Sequence, residues 1–177
     1  PPLPPVRAPA WKLEMGAVVK LGLEFREPFW RSIGAVRNVL FLHGFGQPFP
    51  TWWTALDPAE ARLTGWAGGP AASRLLPNDR DKLADLAVES VGGTLGIPVG
   101  EVADELEDLS YHDWNGDRLS RGAYSYVGVG GVRAHEELAR PIEDTLYLAG
   151  EACAGHGLNA TMEGAIESGR RAAEAGG

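Results

Sequence analysis

Apolar and polar positions alternate along MGAVVKLGLEFREPFW (residues 15–30), with Val19, Leu21, Leu23 and Phe25 on one parity and Val18, Lys20, Gly22 and Glu24 on the other. That period of two predicts a half-buried strand that carries Lys20 on its polar side. NVLFLHGF (38–45) is nearly all apolar, which predicts a strand covered on both faces and therefore central. RLTGWAGG (62–69) predicts a further strand. Between these two, FGQPFPTWWTALDP (45–58) is rich in aromatics and proline and predicts an ordered loop.

The pattern then changes period. Asn78 and Asp79 are N-cap residues ahead of a run whose positions Leu83, Leu86, Ala87, Ser90 and Val91 fall on one helical face. Gly92-Gly93 is expected to stop that helix. VGEVADELE (99–107) predicts a shorter second helix, LSYHDW (109–114) a strand, and NGDRLSRGAYSYVGVGG (115–131) a glycine-punctuated loop. TLYLAG (145–150) predicts a last strand leading to a helix from about 160 to 175. PPLPPVRAP (1–9) can be neither helix nor central strand and predicts an extended N-terminal segment. There is no internal repeat. This order of elements predicts a mixed α and β architecture, α+β in class.

The last turn raises a chemical question. Gly155, Gly157 and Ala160 satisfy the G-x-G-x-x-G/A spacing of a dinucleotide fold. Such a fold, however, puts its first glycine where the strand ends and continues into a second strand. Here Gly150 precedes Gly155 by five residues and the chain stops after the helix, so a free-standing dinucleotide site is rejected. Within the helix, Ala160, Gly164, Ser168 and Ala172 recur every four residues and leave a stripe poor in side chains. Two readings fit equally well. A backbone or flat ring approaches closely, with the positive helix end stabilising a carbonyl or small anion, or the helix simply packs on a sheet.

Composition narrows the partners. The chain has 177 residues, 44% of them hydrophobic and 23% charged, with a net charge of −8. Length and composition fit one soluble domain or a large part of a bigger one. The acidic balance argues against nucleic acid or an anionic membrane as partner, and no apolar run is long enough to span a bilayer. The single cysteine, Cys153, excludes an internal disulfide, is expected to be a small packed residue, and favours a reducing, cytoplasmic location. His43, His112, His135 and His156 show neither metal spacing nor a nucleophile partner and are expected to be structural or surface residues. With Pro1 where an initiator methionine would stand, the chain is expected to be processed, trimmed or cut from something larger.

Three segments together carry a resemblance. LYLAGEA (146–152) followed by ATMEGAIESGRRAA (160–173) is similar to the closing FAD segment of the flavin-dependent amine oxidases, the family of monoamine oxidases, polyamine oxidases and flavin-type histone lysine demethylases. YHDWNGDRLSRGAYSYV (111–127) resembles the segment lining the flavin re face and substrate cavity, and residues 15–30 resemble the lysine-bearing strand. The motifs stand in the family's order. The resemblance implies a partial amine oxidase fold: 1–127 as the C-terminal part of the substrate domain, 128–177 as the closing segment of the FAD domain, and the N-terminal Rossmann half absent.

It also implies residue roles. Lys20 matches the lysine that holds a water beside flavin N5, Trp114 the indole near the ring, and Tyr124 the aromatic cavity wall. Gly150, Glu151, Ala160, Thr161, Met162 and Ala165 match the cofactor-binding set, with no metal. Ala123 stands where monoamine oxidases carry the cysteine that bonds the flavin, so FAD is expected to be held non-covalently. Thr161 replaces their second cage tyrosine, which weakens the analogy to a monoamine substrate. The implied activity is oxidation of an amine C–N bond to an imine, with hydride transfer to FAD and peroxide formation. The implied partners are a small-molecule amine and the missing half or a companion chain, with homo-oligomers possible. The alternatives are a catalytically silent fragment or structural subunit without tight flavin, and a related desaturase or protoporphyrinogen-type oxidase.

Overall fold

The structure is a computed structural model that describes residues 12–155 and 157–177. In chain order its elements are β1 (Leu13–Met15), β2 (Val18–Phe25), β3 (Phe41–His43), β4 (Thr51–Thr54), β5 (Arg62–Gly68), α1 (Pro70–Leu75), α2 (Arg80–Leu95), α3 (Val99–Glu105), β6 (Leu106–Tyr111), β7 (Ser125–Val127), α4 (Ala134–Ala139) and α5 (Met162–Gly176). The expectations for residues 1–9 and His156 lie outside the described residues. By contacts the chain divides into two compact units, one of residues 17–121 and one joining the residues up to 16 with 122–177.

The first unit is built on an antiparallel sheet of order β3-β4-β5-β2-β6. The alternation in β2 does what its period demands. Val19, Leu21, Leu23 and Phe25 are buried in the core, and Lys20 is exposed on the other face. Leu83, Ala87 and Val91 of α2 join Trp30, Phe49, Trp52 and Leu63 in the same core cluster. Asp79 caps α2 as expected, its Oδ1 accepting the Lys82 amide at 2.8 Å.

In this unit four elements differ from the sequence expectation. The apolar run 38–45 yields only the short edge strand β3, in which Phe41 is 61% exposed; hydrophobicity there marks an uncovered surface and not a central strand. The expected loop 45–58 contains β4, which pairs Thr51–Thr54 with Leu63–Trp66. Its β-branched and aromatic residues favour a strand once neighbours are present on both sides. Helix α2 runs through Gly92-Gly93 and ends at Gly96, which adopts φ +71 and donates to the Gly92 carbonyl at 2.9 Å. Gly92 and Gly93 are there for close approach, since a Cβ on Gly93 would sit 2.3 Å from Gln47 Nε2 and one on Gly92 3.1 Å from the Ile97 carbonyl. Residues 109–114 are strand only to Tyr111, and that strand starts early, at Leu106, displacing the end of α3.

In the second unit, β1 pairs antiparallel with β7 inside the expected loop, so by contacts β7 groups with the closing helix. TLYLAG forms no strand. Its one ladder contact is an isolated bridge between Ile142 and Leu146. Among the described residues no strand lies beside it, and the Leu148 carbonyl is instead satisfied by Arg171 Nη2 at 3.0 Å. Helix α5 buries Gly164 and Ser168. A Cβ on Gly164 would fall 2.1 Å from the Leu158 carbonyl and 2.8 Å from Ala154 Cβ. Ser168 Oγ accepts the Gly150 amide at 2.9 Å. The middle of the small-residue stripe is therefore a packing surface for the 150–158 turn, while its Ala160 end is exposed.

Candidate functional site

Lys20 stands on the open face of the five-stranded sheet. Directly paired antiparallel residues share a face, so the register Lys20↔Trp66, Glu24↔Arg62, Trp53↔Thr64 and Phe41↔Trp53 places those side chains together there. The Lys20 ammonium lies 5.7 Å from the centroid of Trp53, within cation–π range. Trp53 lies in the aromatic stretch that the sequence predicts only as an ordered loop. It stands 33 positions beyond Lys20, and only the strand order brings the two together.

A groove of about 510 Å³ opens beside Lys20, lined among others by Gly22, Thr64, Ser110 and His112. About 13 Å along β2 from Lys20, four residues at a strand's rise, it meets the ion pair of Glu24 Oε1 with Arg62 Nε at 2.5 Å. Trp114 is held near this strand. Asp113 Oδ1 accepts the amides of Asn115 and Gly116 at 3.0 Å each, and Asn115 Nδ2 donates to the Val18 carbonyl at 3.2 Å. The Trp114 indole, 45% exposed, meets His112 edge to face at 4.4 Å. Sequence reasoning left His112 structural or surface; it lines the groove and pairs with Asp117 at 3.7 Å. Two backbone amides, those of Ser120 and Leu119, hold the Asp117 carboxyl below its ordinary range.

The remaining candidates lie in the second unit. The Tyr124 carbonyl accepts the Gly16 amide at 2.8 Å and its ring is partly exposed. Glu151 receives three donors: Ser125 N at 2.8 Å on Oε1, with Ser125 Oγ at 2.8 Å and Ala160 N at 2.9 Å on Oε2. Ala160 takes a positive φ of +60, unusual for a residue other than glycine. Thr161 caps α5, its Oγ1 accepting Gly164 N at 3.0 Å. Ala165 N is engaged by the Thr161 carbonyl. Met162 and Glu163, in the first turn of α5, are exposed and stand at the positive helix end. Gly150, Gly155 and Gly157 have open space where a Cβ would be, so backbone is bare at these three positions.

Bare turn and helix end together fit the edge of a flat heterocycle that carries carbonyl acceptors, as a flavin does. The exposed Ala123, whose amide donates to Gly16 O at 3.0 Å, offers no covalent anchor. Burial pushes the Cys153 thiol above its ordinary value, so it is a packed residue and not a reactive one. Among the described residues no group of three or more His, Cys, Asp or Glu is arranged to hold a metal. No helix among them is long and apolar enough to cross a membrane.

Comparison with known proteins agrees with this chemistry. A family model described as flavin containing amine oxidoreductase matches residues 1–175. The human amine oxidase [flavin-containing] B is 28% identical over 98% of this chain and 33% of its own length. Lysine-specific histone demethylase 1 homolog 3 of Arabidopsis thaliana is 29% identical over 98% of this chain and 11% of its own. The solved structure of wild-type putrescine oxidase bound to putrescine superposes with a TM-score of 0.78 at 20% identity, over 98% of this chain and 38% of that one. The chain thus spans about a third of the human relative, and its mixed α and β fold corresponds to part of an amine oxidase fold. It belongs to the flavin-containing amine oxidoreductases.

Proposed function

We propose that the protein carrying this chain is an FAD-dependent amine oxidase, with FAD held non-covalently. Bound FAD would take the hydride equivalent from the amine α-carbon, leaving an imine that water hydrolyses, and dioxygen would then recover the electrons as hydrogen peroxide. Lys20 is the group expected to orient a water at the reacting flavin atom and to stabilise negative charge developing on dioxygen. Trp114 and Tyr124 supply apolar faces that keep water from the neutral amine. Gly150, Ala160 and Ala165 leave room for the cofactor, Glu151 helps to fix it, and the amides at Thr161 and Met162 receive its carbonyl. The observation that carries this reading is an exposed lysine set against Trp53 on the open face of the sheet, in a chain of this family.

The chain taken alone is proposed to be inactive, needing the rest of the family fold from the same or a companion polypeptide. Met162 and Ile166, 79% and 73% exposed on one side of α5, favour association of the isolated chain, including with its own copies. The substrate is proposed to be a small amine and the location cytoplasmic. The test is a panel of monoamines, diamines, polyamines and amino acids offered to the intact protein, with peroxide as readout. Turnover of at least one amine with matching imine-derived carbonyl is expected. No product from any amine would overturn the proposal in favour of a silent module or a related flavoprotein oxidase.

A further inference from the structure

The carboxylate of Glu151 is already occupied by the protein, which bears on what it does. Its three donors come from two separated segments: the amide and hydroxyl of Ser125, next to the aromatic Tyr124, and the amide of Ala160, the left-handed residue just before the α5 cap. A charged acceptor strengthens each of these bonds. The bond to Ala160 N also holds a conformation that a non-glycine residue adopts only at a cost. Thr161 then turns the chain into α5 by bonding the Leu158 carbonyl at 2.7 Å and accepting Gly164 N at 3.0 Å. Removing the carboxylate releases both ends at once.

We propose that Glu151 is a positioning residue, a clasp that sets the Tyr124 segment and the start of α5 in fixed register through Ser125, and that Ser125 belongs to the cofactor machinery without touching the cofactor. The clasp rests on the flavin reading above for its purpose, but not for its geometry. It makes Ser125 Oγ and the Ala160 amide communicate, although no bond joins those two residues directly.

The intact protein tests this with Ser125→Ala, Ser125→Thr and Glu151→Gln, read by hydrogen exchange of peptides covering 158–163, by the shape of the flavin band near 450 nm, and by FAD affinity. In Glu151→Gln, exchange at Ala160 is expected to rise about 10- to 100-fold, the factor that a charge-assisted hydrogen bond carries. FAD affinity should weaken in the same variant. Ser125→Ala should raise exchange in the same peptide by roughly 2- to 10-fold and perturb the flavin band, and Ser125→Thr should restore both. Unchanged exchange at 158–163 in Ser125→Ala overturns the clasp. So does a loss of FAD affinity in Glu151→Gln without faster exchange, which would make Glu151 a direct ligand only. A wild-type protein that binds no flavin would sink the functional reading, and the clasp would then stand or fall on the exchange of the same variants.

Discussion

At Lys20 the sheet supplies a cation with an aromatic neighbour, and the contact with Trp53 has a measurable consequence. Cation–π contacts at partly exposed sites are worth about 0.5–1 kcal/mol. Trp53→Leu is therefore expected to slow oxidation of the reduced flavin by dioxygen two- to fivefold, with substrate-driven reduction unchanged; equal slowing of both steps would mean that Trp53 shapes the amine site instead. Cys153 gives a second prediction at this scale. Burial raises its thiol, with the Arg171 guanidinium opposing more weakly. A raised folded value contributes stability that is fully present below the unfolded value, about 8.5, and lost as pH climbs through the folded one. The denaturation midpoint should fall above that pH in the wild type, and the fall should shrink in Cys153→Ala. An identical alkaline slope in both proteins would contradict the assignment.

Among the elements, three glycines separate conformation from packing. Gly96 holds a left-handed cap, so Gly96→Ala should cost about 1–2 kcal/mol. Gly164 is pressed against the Leu158 carbonyl, so Gly164→Ala should cost about 1–3 kcal/mol or shift the 150–158 turn. Gly169 sits inside α5 with nothing within 4 Å of a Cβ, and Gly169→Ala should stabilise by about 0.5–1 kcal/mol. Thermal melts check the order; a neutral Gly164→Ala would mean that the helix does not pack as described. The same contrast explains what could be read in advance. Alternation in β2 and the Asp79 cap are local signals and were legible. Whether Gly92-Gly93 ends a helix depends on Gln47 packing against it, and whether residues 38–45 are central depends on what lies beyond β3. Neither is encoded nearby in sequence. TLYLAG has a strand's pattern, but a strand needs a neighbouring ladder as well as a pattern.

For the molecule as a whole, the family was legible because its motifs are short, dense signatures, as around Lys20 in β2 and Glu151 after Gly150. Their partners were not. Trp53 reaches Lys20 only through the β4-β5-β2 order, and Ser125 reaches Glu151 across 26 positions. On the proposed reading Lys20 stands at the centre of the account, its ammonium serving the oxidative half of the cycle. The most direct test is stopped-flow mixing of the amine-reduced intact protein with dioxygen, in wild type and Lys20→Met. Loss of one well-placed charged group costs on the order of 100-fold where charge develops. The account predicts reoxidation slowed by that order with reduction by amine altered no more than a few-fold. Reoxidation of Lys20→Met at the wild-type rate would contradict it.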